Sequence, residues 1–287
     1  MCQRGYSKKE LIMRLQFPAK VHIELTNKCN LNCSFCPRKY INDDNDFIQD
    51  DLWKKLIQEC SKHKSTVMPF WRGESLLHPR FCELIDYAAD NNVDMELATN
   101  GILISEENVS SLMKMKIISI SIHNEKSFEK AIWLAKQKNT KYPLIQISFV
   151  SNESTVKTVM NEVIENKKLY SNLFNRVRLY EEHSVDGVFG ANLIKKNELR
   201  KYCSKLDNLL VVSANGYVSR CTYLWECEDG FNANNSSLFD IWNSERYSDI
   251  SHNYPDKRCE NCDQWNGATN GEIFELNSEN QLGAKII

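Results

Sequence analysis

The 287-residue sequence lacks any run of about 18 apolar residues, so no segment is expected to cross a membrane as a helix. Its first stretch, Met1 to Phe17, has charges scattered through it and no continuous apolar core of the kind a secretion signal needs. A cytoplasmic location with no membrane partner is the expectation. An excess of one charge is missing too: 36 Lys and Arg stand against 38 Asp and Glu, a net charge of −2. Extended nucleic-acid binding needs a basic surface and has no compositional support here. Low-complexity runs and internal sequence repeats are also absent. What is present is a 42% hydrophobic share, enough for a sizeable core, and eleven cysteines.

Disulfides do not persist in a reducing compartment, so clustered cysteines there point to metal or catalysis. Cys29, Cys33 and Cys36 are spaced C-x3-C-x2-C, and Cys203, Cys221, Cys259 and Cys262 are spaced C-x17-C-x37-C-x2-C. Cys2, Cys60 and Cys82 are isolated and read as small apolar side chains.

Between residues 20 and 181 the pattern alternates. Strand-like runs fall at 20–25, 66–71, 93–99, 117–123, 143–150 and 176–181. Helical periodicity falls at 50–63, 80–92, 105–115, 125–138 and 152–170. Six strands alternating with helices predict an α/β fold of parallel units closed or partly closed into a barrel. In such folds the chemistry sits at the C-terminal ends of the strands. The first cysteine set follows the first strand directly. Past residue 182 the rhythm stops. Two short apolar runs flank Ala214-Asn215-Gly216, a hairpin signal. A helix is predicted over 237–250, and the chain from Asn266 reads as a polar tail.

Three thiolates on one tight loop can hold three irons of a four-iron cluster and leave the fourth open. This spacing after a first strand, with Phe35 before the last cysteine, resembles the radical S-adenosylmethionine (radical SAM) superfamily. That resemblance implies a partial (β/α)6 barrel, a [4Fe–4S] cluster on Cys29, Cys33 and Cys36, and S-adenosylmethionine chelating the open iron. It also assigns cofactor contacts to Phe35, to Gly73 and Glu74 in Trp71-Arg72-Gly73-Glu74-Ser75, and to Thr99 and Asn100 before Gly101. Ser121 and His123, at the end of the fourth strand, join them. Arg72 and Ser75 depart from the Gly-Gly-Glu-Pro pattern of the family. A zinc ion completed by a distant ligand such as His22 is the alternative for the first cysteine set.

The second set, with Gly216 twelve residues past Cys203 and four before Cys221, looks like the start of the SPASM motif in its shortened Twitch form. The resemblance implies a small α+β domain with one auxiliary [4Fe–4S] cluster on Cys203, Cys221, Cys259 and Cys262. A four-cysteine zinc ribbon is the alternative. The expected division is an extension at 1–19, the barrel at 20–182, the auxiliary-cluster domain at 183–265 and a tail at 266–287.

The ligand spacing further resembles radical SAM dehydrogenases that oxidise an aminocyclitol carbinol. Those enzymes imply an arginine base shortly before the first cysteine of the second set, and the matching stretch from Glu181 to Gly190 has none. Glu181, Glu182, His183 and Asp186 are the polar candidates in its place, and a histidine titrates near neutral pH. Cys227 reads as a loop residue, a hydrogen-atom donor or a spare cluster ligand. The expected function is oxidation or epimerisation of a small polyhydroxylated molecule, an aminocyclitol, sugar or sugar nucleotide. The implied electron donor is a flavodoxin or ferredoxin. A peptide- or protein-modifying enzyme of crosslinking, epimerising or formylglycine type is the alternative, weakened because the 19 residues before the first strand are too few for a leader-binding domain. A zinc-binding module without catalysis is the third reading.

Overall fold

The computed structural model describes residues 15–34, 36, 38, 46–151, 158, 161–163, 165–181, 203–227, 229–252, 259, 262, 271–276 and 282–286. Within them the chain alternates β1 (Lys20–Ile23), α1 (Asp50–His63), β2 (Thr66–Met68), α2 (Phe81–Asp90), β3 (Glu96–Thr99), α3 (Val109–Leu112) and β4 (Ile117–Ser121). Then come α4 (Glu125–Gln137), β5 (Leu144–Ser151), a helix at Lys167–Leu173 and β6 (Arg176–Glu181).

Local chemistry explains these elements. In α1 the apolar positions Leu52, Trp53, Leu56, Ile57 and Cys60 recur at helical spacing and are all buried. Two acidic residues open that helix and two basic ones close it, matching its dipole. Lys64 ends it in the left-handed region at φ 56. In α4, Asn124 and Ser127 form a reciprocal capping box. The stretch 105–115 is helical only over Val109–Leu112, because Asn108 spends its side chain on the Ser105 amide and the Leu103 carbonyl.

β1 pairs parallel with β2, and β3 to β6 pair parallel in sequence order. A parallel bridge between Val67 and Met95 joins the two groups, so six parallel strands run side by side. Ile118, Ile120, Ile145, Ile147, Val177 and Leu179 are almost fully buried in one core with Ala131 and Leu134 of α4 and with Tyr170 and Phe174. That apolar face lies under the helices. The opposite face of the strands lines the inside of the partial barrel.

The remaining strands extend this array at both edges. β7 (Leu209–Val212) lies parallel to β1, and β8 (Tyr217–Ser219) and β9 (Phe231–Asn232) follow antiparallel. The hairpin turn at Ala214-Asn215-Gly216 holds, with Gly216 at φ 89 and no room for a Cβ beside Asn234. Helices at Leu238–Trp242 and Glu245–His252 replace the single helix expected over 237–250. Ser244 starts the second, its hydroxyl accepting from the Tyr247 amide at 3.2 Å.

Described residues from the two segments read as an extension and a tail pair with the rest of the fold. Phe17 is buried and stacks on His63 at 4.3 Å, and Trp242 Nε1 donates to Leu15 O at 2.8 Å. In the stretch read as a tail, β10 (Gly271–Leu276) adds antiparallel to β6 and β11 (Leu282–Ile286) adds to β10. Cys60 is buried in the core and Cys82 packs against it, as expected of unassigned cysteines. Cys2 lies outside the described residues. No described helix is long and apolar enough to cross a membrane.

Candidate active site

β1 runs into Glu24-Leu25-Thr26-Asn27 and delivers the chain to Cys29. Asn27 Oδ1 accepts from the Asp46 amide at 3.0 Å, and Thr26 Oγ1 donates to Asp46 O at 2.7 Å, so the far end of the cysteine loop returns to its start. Within the loop the Leu31 amide points at Cys29 Sγ, the Cys36 amide donates to Cys33 O, and Arg38 reaches Leu31 O at 3.1 Å. Cys29, Cys33 and Cys36 are half-buried. Burial pushes the Cys29 and Cys33 thiols up, and mutual repulsion with Cys36 adds to the shift. Phe35 lies outside the described residues.

The segment after β2 packs directly on this loop. A Cβ on Gly73 would stand 2.3 Å from Thr26 O and 2.5 Å from Lys28 O, so only glycine fits. The Glu74 amide donates to Lys28 O at 2.7 Å. The Glu74 carboxylate is buried, and burial raises its pKa. It accepts from Thr99 Oγ1 and the Asn100 amide, both at 2.8 Å. Asn100 Nδ2 in turn donates to Asn30 Oδ1 at 2.7 Å, inside the cysteine loop. Glu74, Thr99 and Asn100 thus form one network linking β2, β3 and the loop. Gly101 follows at φ 77, which its missing side chain permits.

Ser121 and His123 mark the end of β4. Ser121 Oγ lies 3.3 Å from Ser148 Oγ, and burial lowers the pKa of the half-buried His123. Both stand at the C-terminal side of the strands.

Arg72, the departure from the family pattern, is buried against Glu24 in a two-pronged ion pair. Its Nη1 also donates to Trp225 O at 3.0 Å, and the Ala214 amide donates to Glu24 Oε2 at 3.1 Å. Trp71 Nε1 donates to Thr222 O at 2.8 Å. Sequence reasoning missed this set, which holds the segment around Cys221 against the strand ends.

The second cysteine set gathers at the same end. Burial pushes the Cys221 thiol to about 11, with Cys203 and Cys259 adding repulsion and Lys205 opposing it. The Cys262 amide donates to Cys259 O at 3.1 Å. Burial raises the Tyr223 phenol, and Cys221, Tyr180 and Cys262 raise it further. Cys227 sits on the Cys221–β9 loop at φ 52, a strained conformation for a non-glycine residue. His183, Glu182 and Asp186 lie outside the described residues, as does the side chain of Glu181. The backbone of Glu181 ends β6 beside Ser151.

Among the described residues, no three His, Cys, Asp or Glu side chains converge on one point as ligands of a lone metal ion do.

On the inner face, Ser119, Gln146 and Arg176 form one transverse row and Ser121, Ser148 and Arg178 form the next. Gln146 Nε2 donates to Ser119 Oγ at 2.8 Å. Closed barrels fill this space with branched apolar side chains, and this polar inner face departs from that filling.

The radical SAM superfamily profile matches residues 23–144, and that of an iron–sulfur cluster-binding domain, SPASM, matches residues 203–263. The PqqA peptide cyclase of Bradyrhizobium diazoefficiens is 23% identical over 155 residues, 53% of this chain and 41% of the relative. The chain spans 28% to 41% of the length of the first curated relatives it matches. Among solved structures, BtrN in complex with AdoMet and 2-DOIA aligns with TM-score 0.60 at 16% identity, covering 84% of this chain and 87% of that one. Streptococcus suis SuiB bound to precursor peptide SuiA aligns with TM-score 0.66 at 15% identity, covering 87% and 70%. At these identities the structural likeness shows the fold. The chain carries a radical SAM domain followed by a SPASM-type domain, modules that bind S-adenosylmethionine and iron–sulfur clusters.

Proposed function

From the premise that a radical SAM enzyme domain is joined here to a SPASM-type iron–sulfur domain, we propose that the chain acts on a carbinol carbon of a small polyhydroxylated molecule. The molecule is an aminocyclitol, sugar or sugar nucleotide, and the carbon is oxidised to a ketone or epimerised. Cys29, Cys33 and Cys36 hold a [4Fe–4S] cluster open to S-adenosylmethionine, and Cys203, Cys221, Cys259 and Cys262 hold one auxiliary [4Fe–4S] cluster. When bound, these groups supply a 5′-deoxyadenosyl radical for hydrogen abstraction and a one-electron acceptor. The first electron comes from a flavodoxin or ferredoxin.

The residues of the chain position the reactants. Gly73 lets the second strand end press on the cysteine loop, and Glu74, Thr99 and Asn100 fix that loop to β3. Ser119, Ser121, Gln146 and Ser148 offer the hydroxyl and amide groups that recognise a polyol. The observation that carries the reading is this polar inner face lying beside Tyr223 and the second cysteine set. Oxidation would release the hydroxyl proton and pass one electron to the cluster that this set would hold, whereas epimerisation would return a hydrogen atom, for which the Cys227 thiol is the candidate.

Reconstituted protein is expected to hold about eight irons and to cleave S-adenosylmethionine. Replacing the four later cysteines with alanine lowers the count to about four and leaves cleavage intact. Aminocyclitols, hexoses and nucleotide sugars are then screened for stimulated 5′-deoxyadenosine formation and a new carbonyl. Stimulation by a peptide, with none by any polyol, favours the second reading, peptide modification, which the PqqA peptide cyclase and SuiB likenesses support.

A further inference from the structure

Arg72 and Arg220 are buried and Arg178 is half-buried, and the three differ in what they face. Arg72 has Glu24. Arg220 has Asp229 at 3.9 Å. Arg178, on the inner face of β6, has no carboxylate among the described residues. Its Nε is buried without a hydrogen-bond partner there. Its guanidinium lies 4.2 Å from the Tyr180 ring centroid. Beside it in register stands Ser148, and beyond that Ser121. Tyr180 and Tyr223 share its surroundings.

A half-buried cation whose buried Nε has no hydrogen-bond partner among the described residues is favourably completed by something anionic. Stacking on Tyr180 orients the guanidinium plane and leaves its N–H edge available for a planar or tetrahedral oxyanion. Tyr223 connects this point to the auxiliary site, since it neighbours Cys221 and Cys262, and Lys205 Nζ lies 5.1 Å from its ring. An anion seated at Arg178 therefore lies on the inner face and close to the second cysteine set.

We propose that Arg178 anchors an oxyanion of the substrate, so that the inner face of β4–β6 takes a phosphorylated or carboxylated sugar in preference to a neutral polyol or a cationic aminocyclitol. This rests on the reading of the inner face as the substrate site and narrows it. Ser121 and Ser148 hold sugar hydroxyls along the same transverse row, while the guanidinium fixes the end of the molecule that does not react. A protonated amino group in the same place is repelled by the same charge.

The test is calorimetric titration of reconstituted, S-adenosylmethionine-saturated protein with pyrophosphate, UDP-glucose, glucuronate, glucose and glucosamine. Wild type is compared with Arg178→Met and Arg178→Lys, each checked for unchanged iron content. Expected is binding of UDP-glucose or glucuronate at least tenfold tighter than glucose or glucosamine. Arg178→Met loses about 10- to 100-fold of that affinity, the range for one charge-assisted hydrogen-bonding group, and Arg178→Lys loses less. Pyrophosphate and UDP-glucose binding alone identifies a phosphoryl source, and glucuronate binding alone a carboxylate. Pyrophosphate binding that depends on Arg178, with no gain from a sugar, supports the anion anchor and counts against the polyol reading. Glucose or glucosamine binding as tightly as the anionic probes, equal affinities in Arg178→Met, or no binding of any anionic probe overturns the anchor.

Discussion

Glu24 and Arg72 close a buried, two-pronged ion pair, with Nε to Oε1 at 2.8 Å and Nη2 to Oε2 at 2.7 Å. The two residues leave the ends of adjacent strands, and each also binds the backbone of the later unit, at Ala214 and Trp225. Bidentate geometry and two extra backbone bonds offset a desolvation cost that a plain buried pair does not recover.

Removing either partner alone leaves an unpaired buried charge. Glu24→Gln and Arg72→Met are each expected to lose about 3–5 kcal/mol of stability in urea unfolding. The Glu24→Leu/Arg72→Met double variant recovers most of that loss but releases Trp225, so its auxiliary iron becomes more accessible to chelators. Single losses under about 1 kcal/mol would place this pair with ordinary surface bridges.

Gly73→Ala forces a methyl group into the backbone of Thr26 and Lys28. Overpacking of this kind costs about 1–3 kcal/mol, and relief comes by moving the cysteine loop. The expected result is a loss of about tenfold or more in S-adenosylmethionine cleavage, with auxiliary iron retained. Wild-type cleavage in the variant contradicts the close approach.

His22 is buried, its Nδ1–H donating to Phe70 O at 3.2 Å, and burial lowers its pKa from 6.5 to about 4. The folded chain refuses a proton that the unfolded chain accepts below pH 6.5. Stability is complete above that pH and falls as pH drops toward 4. From pH 7.5 to 5.5 the expected loss from this residue is about 1.4 kcal/mol. His22→Gln keeps a donor for Phe70 O and removes the titration, so its unfolding midpoint changes less over the same interval. Parallel pH profiles in the two proteins contradict the assignment.

The sequence carried what is local. The α1 stripe, the Asn124–Ser127 cap and the glycine turn at 216 all have short-range causes, and so do the two cysteine spacings. Arg72 was legible only as a departure, because its partner lies 48 residues earlier. The Asn30–Asn100 bond and the placement of Arg178 beside Ser148 depend on strand register, which no single run of residues encodes. The stretch after Asn266 reads as polar because Asn, Gly and Glu dominate it. Yet Ile273, Phe274 and Leu276 within it suffice for a strand once β6 offers an edge.

The parallel pairing of Lys20–Ile23 with Leu209–Val212 ties the opening of the chain to a segment synthesised much later. During translation one side of the first strand stays unpaired until the ribosome has released the hairpin near Gly216. An open apolar edge of that kind invites pairing with other nascent chains. Its closure over so long a loop is slow. Shortened forms ending before Leu209 are therefore expected to aggregate even when every cysteine of the first set is present. Engineering of this protein must treat the two cysteine sites as parts of a single folding unit.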